Sequence, residues 1–486
     1  MSNLASLTPS DVWKYFDQIC QIPRPSKQEE KIVEFLLQFA KDQKLDAKRD
    51  EVGNVVIFKP ATAGMEKKET VVLQSHVDMV CEKNSDVNHN FETDPIQPFI
   101  DGDWVKAKGT TLGADDGIGI AAQLALLAST NISHGPIECL FTIDEETGLT
   151  GAFELKEGFF SGKYLLNLDS EDEGELFIGC AGGLDTVITF DYQRENVPTG
   201  NIAFKISVSG LKGGHSGDDI DKGLGNSIKL LTRFLWRTNT KYDLRLAILE
   251  GGNLRNAIPR EANGVFTIHK EDEESMKKDF EAYYADVKKE LKTTEPGLTL
   301  KLEKVALPEM VIDETTQYDL LNSLYACPHG VIAMSRDIPG LVETSTNLAA
   351  VKFIQDDQIL ISTSQRSSVS SSIKDIAYMV ESVFRLANAK VVHGDGYPGW
   401  APNTDSPIMG ITVEAYKRLF KTEPKVRAIH AGLECGLFLE KYPILDMISF
   451  GPTIKGAHSP DERLEIATVD KFWLLMLEVL KNMPTK

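Results

Sequence analysis

The sequence predicts a two-domain α/β protein, and three observations carry that expectation. The chain has 486 residues, more than one ordinary hydrophobic core accommodates, so two domains are the default. Its first part alternates short apolar strand-like runs with helical periodicity, the order that builds a mixed, largely parallel sheet with helices on its faces. After Gly182 and Gly183 the pattern changes to longer alternating strands mixed with helices, and the earlier pattern then resumes. The second α/β domain is therefore expected as an insertion: 1–185 and 398–486 would form one domain and 186–397 the other.

Pro9 follows Thr8 and would occupy the first turn of an opening helix. Ser26-Lys27-Gln28-Glu29 has the spacing of a capping box, which predicts an amphipathic helix to about Leu45. Strands are expected at Asn54–Phe58, Thr70–His76, Ile137–Ile143 and Tyr164–Leu168, with a helix over Asp116–Ser129. In the inserted part, strands are expected at Thr186–Tyr192, Ala203–Val208, Leu244–Leu249 and Val265–His269, and helices near Gly225–Arg237 and Glu274–Leu291. A helix near Lys374–Leu386 precedes the turn-rich stretch Gly394 to Gly399, after which helices and strands alternate to the end.

Hydrophobic residues make up 42% and charged residues 26%, both ordinary for a globular chain. The 52 basic against 72 acidic residues leave a formal net charge of -20, which opposes general attraction to nucleic acid or to an anionic membrane and favours a small substrate. The six cysteines are scattered without a Cys-x-x-Cys pair, which argues against thiolate zinc and against a disulfide framework. Met1 to Val12 has no basic segment followed by an apolar stretch, and the most apolar helix candidate, Ile118 to Ala128, is interrupted by Gln123 and too short to span a bilayer. A cytoplasmic location is expected.

The chemistry is concentrated at strand ends. His76 and Asp78 lie two apart after an apolar run, and residues two apart on a strand face the same way, so the carboxylate can orient the imidazole while the other ring nitrogen holds a metal. Asp115 and Asp116 stand in the glycine-rich turn from Gly109 to Gly119 at a helix start. Such a turn could cradle phosphate, but adjacent carboxylates would repel it and no Gly-Lys-Ser/Thr ending follows; a carboxylate bridging two cations is the better reading, with a solvated helix cap as the bland one. Glu145 and Glu146 leave the strand ending at Ile143, where one acid can bind metal while its neighbour handles protons, unless the pair is only an exposed acidic turn. Asp169 ends another apolar strand, whereas Glu171, Asp172, Glu173 and Glu175 suit a solvated charge run. His458, in Gly456-Ala457-His458-Ser459-Pro460, is either held at a site or decorates a turn.

The stretches LQSHVDMV, GTTLGADDGIG, DEETG, NLDSE, GLKGGHSG, GGNLRNAIPREA, HAGLECGLF and GPTIKGAHSPDE resemble, in order and over essentially the whole chain, the M20 family of metallopeptidases. The resemblance implies a catalytic α/β/α sheet domain with an inserted α+β lid domain, two Zn²⁺ per subunit with Mn²⁺ or Co²⁺ as possible substitutes, a homodimer, and hydrolysis of unblocked dipeptides, including Xaa-His dipeptides. Carried over by position, His76, Asp115 and Asp169 would hold one metal and Asp115, Glu146 and His458 the other. Asp78 would orient His76, and Glu145 would be the general base acting on a water held between the metals. The resemblance also implies a cis peptide after Asp115. In the inserted domain His215 would meet the developing oxyanion, while Asn256 and Arg366 would hold the substrate carboxylate. Their bland readings are a turn asparagine and an exposed strand arginine. His430 and Glu434 would line the substrate pocket; His89, His134, His269, His329 and His393 default to structural roles.

Two other readings keep part of this pattern. The same metal site could serve an aminoacylase, deacylase or tripeptidase of the family, or the chain could be a metal-stabilised binding protein, for which the unligated Glu145 would have no use.

Overall fold

The computed structural model describes residues 4–355 and 357–486. The chain forms two compact units: one comprises Met1–Gly179, Trp400–Ala428 and Glu434–Lys486, the other Cys180–Gly399 and Ile429–Leu433.

Among the described residues of the first unit, eight strands form a sheet in the order Asp46–Arg49, Val55–Lys59, Ile137–Thr142, Val71–His76, Tyr164–Asn167, Asp446–Ser449, Glu175–Cys180, Lys425–Ile429. Val71–His76 pairs in parallel with both Ile137–Thr142 and Tyr164–Asn167, and the latter is parallel to Asp446–Ser449. Every residue of Val71–His76 and Ile137–Thr142 is buried, as expected for parallel strands covered on both faces. The helix Ala114–Ala128 is buried almost all round and packs on Val71–His76 and on the helix Ser10–Cys20. The parallel strands end at a common edge, so His76, the last residue of one, and Glu145 with Glu146 and Asp169, which follow two others, lie on one side of the sheet. In α/β sheets ligands bind beyond the carboxyl ends of strands.

A smaller sheet runs in the order Ile454–Lys455, Arg463–Glu465, Trp104–Ala107, Pro98–Asp101. Its first two strands form a hairpin whose loop carries His458, and the register Arg463↔Lys106 sets that loop beside the turn that follows Ala107.

The second unit is built on a sheet of nine strands among the described residues: Thr299–Val305, Asn201–Ser209, Ala262–His269, Arg245–Gly251, Val342–Ile354, Gln358–Ser367, Gly182–Asp191 and Lys390–His393 in order, with Gly330–Met334 also on Val342–Ile354. Alternate residues of Asn201–Ser209, Phe204, Ile206 and Val208, enter a core shared with Phe234 and Phe280 from helices Ser227–Tyr242 and Glu273–Glu290. Val342–Ile354 and Gln358–Ser367 lack a regular apolar alternation because they bury polar side chains, among them Thr344, Ser345, Thr346, Thr363 and Gln365. These are satisfied sideways: Gln365 Nε2 donates to Thr346 Oγ1 at 3.2 Å and to Thr363 Oγ1 at 2.7 Å.

The capping box does not form. The helix starts at Glu30 and ends at Asp42, with no side-chain cap from Glu29. Ser26 instead donates its hydroxyl to Asp78 Oδ2 at 2.7 Å, and Glu29 Oε1 accepts the N–H groups of Lys27 and Asp144 at 2.8 and 3.0 Å. Long-range partners have taken both ends of the local motif.

His329, in the second unit, shows what a structural histidine does here. Its Nδ1 accepts the N–H of Leu348 at 3.3 Å, and burial, aided by the charge of Lys229, holds its pKa down to about 4 from an ordinary 6.5. The unfolded chain therefore binds a proton that the folded chain refuses between those values. The stability tied to this difference is full above about pH 6.5 and is lost as the pH falls towards about 4. His329→Gln should flatten the fall of the urea midpoint between those limits; an unchanged slope would remove His329 from the explanation.

Candidate active site

His76, Asp115, Glu145, Glu146 and Asp169 each stand at or just beyond the end of an element, and His458 lies in a hairpin loop. His76 is the last residue of a buried strand, and its Nε2 faces Asp115 Oδ1 at 3.1 Å and Asp169 Oδ1 at 3.4 Å. His458 Nε2 faces Asp115 Oδ2 at 3.2 Å and Glu146 Oε2 at 3.1 Å. Asp115 thus presents one oxygen to each imidazole. The donor atoms of His76, Asp115 and Asp169 all lie within 4.8 Å of one another, as do those of Asp115, Glu146 and His458. The Asp115–Asp116 peptide is cis, as the resemblance implies.

Glu145 and Glu146 open a single helical turn, Glu145–Gly148, after Asp144, which has φ +49°. Asp78 fixes that turn from below: its oxygens accept the backbone N–H groups of Glu145 at 3.0 Å and Glu146 at 3.1 Å. The same carboxylate lies 3.3 Å from His76 Nδ1, at ion-pair distance but without hydrogen-bond alignment. One buried carboxylate therefore holds the backbone of the two glutamates and stands beside the imidazole.

The site is rich in negative charge. Burial pushes Asp169 and Glu145 well above the usual carboxylate range, Asp116 and Glu171 up to about 8, and Glu434 up to about 7. For His76 burial disfavours the charged ring, yet Asp169, Asp115 and Asp78 outweigh it and hold its pKa well above the ordinary value. Hydrogen bonds to Asp115 and Glu146 raise His458 to about 11. Asp115 is the exception among the acids: burial pushes it up, but the bonds from His458 and His76 outweigh that and hold it far below the usual range. Carboxylates this crowded retain protons unless cations neutralise them. The oxygen and imidazole donors, with no sulfur, fit a pair of divalent ions such as Zn²⁺, Mn²⁺ or Co²⁺. Distance alone also admits Glu145, whose carboxylate lies within the same reach of His76 and Glu146.

Glu434 is also in the first unit. Its Oε2 accepts from Gln74 Nε2 and Thr142 Oγ1, each at 2.7 Å, while Oε1 is buried without a hydrogen-bond partner among the described residues. His430, expected in the same pocket, belongs to the second unit, where its Nε2 meets Ser345 Oγ at 2.7 Å. Burial, and next the positive charge of Arg366, hold it down to about 4.

The second unit holds the remaining expected residues. His215 lies in the short strand Gly214–His215, paired with Ala257–Ile258. Its Nδ1 accepts the N–H groups of Gly217 at 3.3 Å and Asp218 at 3.2 Å. A nitrogen that accepts carries no proton, so in the neutral ring the proton sits on Nε2 and can be donated. Asn256 is an exposed turn residue whose carbonyl accepts the N–H of Ser216 at 2.8 Å. Arg366 is not an exposed strand arginine: it is 8% exposed, its Nη1 donates to Tyr397 Oη at 3.3 Å, and its Nε is buried without a hydrogen-bond partner among the described residues. A cavity of about 590 Å³ lies in the same unit, lined by Lys212, Glu250, Asn253, Arg260, Asn263 and Lys352 among others; none of the expected site residues lines it.

Sequence reasoning missed several supports. Arg24 is 2% exposed and donates to the carbonyls of Val77, Asp78 and Gly113 at 2.9, 2.5 and 2.5 Å. No local signal marks it. Glu171, assigned to a solvated run, lies close enough for the charges of Asp115 and His458 to act on it.

Comparison with known proteins agrees with the residue pattern. The model of peptidase family M20/M25/M40 matches residues 72–482. The chain is 46% identical over 486 residues to the cytosol non-specific dipeptidase of Escherichia coli strain K12, covering 100% of both. Among solved structures, the aminoacylhistidine dipeptidase of Vibrio alginolyticus superposes with a TM-score of 0.92 at 48% identity, over 100% of this chain and 99% of that one. A tripeptidase from Staphylococcus aureus, at 17% identity and a TM-score of 0.57 over 98% of each chain, shares the fold.

Proposed function

The chain belongs to peptidase family M20/M25/M40, and from that premise we propose that it is a cytoplasmic dipeptidase using two Zn²⁺ ions per subunit, with Mn²⁺ or Co²⁺ as substitutes, on unblocked dipeptides that include Xaa-His. The observation that carries this reading is the pair of donor triads sharing Asp115. His76, Asp115 and Asp169 would hold one cation and Asp115, Glu146 and His458 the other. Bound there, the cations would polarise the scissile carbonyl and make water acidic near neutral pH.

The residues of this chain supply the rest. Glu145 takes a proton from the attacking water and returns it to the leaving amine, a task that suits a carboxyl held well above its usual pKa by burial. Asp78 keeps His76 and the Glu145–Glu146 turn in place. His215 donates from Nε2 to the oxygen on which negative charge develops. Arg366, with Asn256, grips the substrate carboxylate as a charge-assisted pair, and His430 and Glu434 line the substrate pocket. The active form is proposed to be a homodimer.

A substrate panel separates this reading from the aminoacylase, deacylase and tripeptidase alternative. Free dipeptides should be cleaved and their N-acylated forms and tripeptides spared; faster cleavage of the acylated series would replace the proposal. Arg366 sharpens the test. Arg366→Ala should raise KM strongly for a free dipeptide and much less for the same dipeptide amidated at its C-terminus, which lacks the charge to be held. Equal losses for acid and amide would mean that Arg366 does not recognise the carboxylate.

A further inference from the structure

Asp115 and His458 lie 343 residues apart in the chain, yet two cations would require their donor atoms to be placed to a fraction of an ångström. His458 is ill suited to hold itself in place. It lies in the hairpin loop between Lys455 and Arg463, has φ +61°, and its side chain is 54% exposed. Asp115 stands in the irregular turn that leads into the helix Ala114–Ala128, where Asp115 and Asp116 have non-helical backbone angles, and Gly113, with φ +68°, has no side chain to accept the N–H groups around it.

Those N–H groups are satisfied from the His458 loop. Glu462, at its base and 2% exposed, accepts at Oε2 from the N–H groups of Leu112 and Gly113 at 2.6 and 2.9 Å, and at Oε1 from Ala114 at 2.8 Å and, at the edge of bonding, from Asp115 at 3.4 Å. Its own N–H donates to the carbonyl of Ser459 at 3.0 Å, which closes the turn that directly follows His458. Both carboxylate oxygens are spent on the backbone N–H groups of that turn, which would otherwise be buried without an acceptor. Glu462 is therefore not a ligand itself. The strand that follows it, Arg463–Glu465, pairs with Trp104–Ala107, so the loop and the turn are brought side by side from two directions.

We propose that Glu462 is a positioning residue that locks the His458 loop to the Asp115 turn, so that the site shared by these two ligands is assembled before a cation arrives. The proposal rests on the two-cation reading of the site. A glutamine at 462 offers one accepting oxygen and turns an NH₂ group towards backbone N–H groups; an aspartate keeps both oxygens but falls short by one methylene.

The test is equilibrium titration of the metal-free full-length protein with Co²⁺ against a competing chelator, with the visible absorption of Co²⁺ reporting ligand geometry. Glu462→Gln should lose affinity by on the order of tenfold to a hundredfold, as for residues that orient metal ligands, and its spectrum should differ from that of the parent. Glu462→Asp should fall between them, and it carries the comparison if Glu462→Gln does not fold. The control is Glu138→Gln, another buried carboxylate that accepts backbone N–H groups, from Ser161 at 2.7 Å and Gly162 at 2.9 Å, at the opposite end of its strand. It should lower thermal stability while leaving Co²⁺ affinity and spectrum as in the parent. Parent-like affinity and spectrum in both Glu462 variants, or an equal loss in Glu138→Gln, would overturn the positioning role. A parent protein that binds no Co²⁺ would overturn the two-cation reading itself.

Discussion

Glu145→Ala is expected to retain two metal ions per chain and to lose about a hundredfold or more in kcat, the loss typical of removing a general base. The expectation turns on separating proton transfer from ligation, because the Glu145 carboxylate lies within 4.8 Å of donor atoms on both His76 and Glu146. If it moves protons without holding metal, the metal content of the variant matches the parent while the rate falls. The backbone of the turn should survive, since Asp78 holds it through the N–H groups of residues 145 and 146. Elemental analysis beside single-turnover kinetics gives both quantities. Near-normal turnover with metal bound would remove Glu145 as the base, and loss of one metal would make it a ligand.

Asp169→Ala and His458→Ala should behave in the opposite way, with occupancy and rate falling together. Asp169 faces His76 at 3.4 Å, and His458 is the group that brings Asp115 and Glu146 together. Removing a direct ligand should cost more than the roughly tenfold to hundredfold seen when only its supporting partner is changed. The two variants should also differ: Asp169→Ala should empty the position shared with His76, and His458→Ala the one shared with Glu146. Stoichiometry by mass spectrometry under native conditions checks both, and two tightly held ions in either variant would strike that residue from the ligand set.

The parts of this site legible in the sequence are those written as chemistry at the ends of apolar runs. His76, the glutamates after Ile137–Thr142 and Asp169 after Tyr164–Asn167 could be found because a parallel strand is a continuous apolar run and its last residue marks the functional edge. What escaped is what long-range partners decide. Ser26 and Glu29 carry a local helix-start pattern, yet both are taken by residues more than fifty positions away. Arg24 reaches three carbonyls through a fold that no spacing announces. The strands Val342–Ile354 and Gln358–Ser367 are central in their sheet but bury hydroxyl and amide groups, so apolar alternation is absent. Arg366, plausible as an exposed residue by type, is buried beside Tyr397. Residue identity thus exposes groups that do chemistry more readily than groups that hold them in place.

Two-metal hydrolysis of free dipeptides is decided by the rate at which the purified protein cleaves an unblocked dipeptide as divalent metal is removed by a chelator and then returned in counted equivalents. Activity should vanish with the metal and return as Zn²⁺, Mn²⁺ or Co²⁺ is added back, reaching its plateau at two equivalents per chain. Full hydrolysis by protein shown to be metal-free, or no hydrolysis at any metal content, would contradict it.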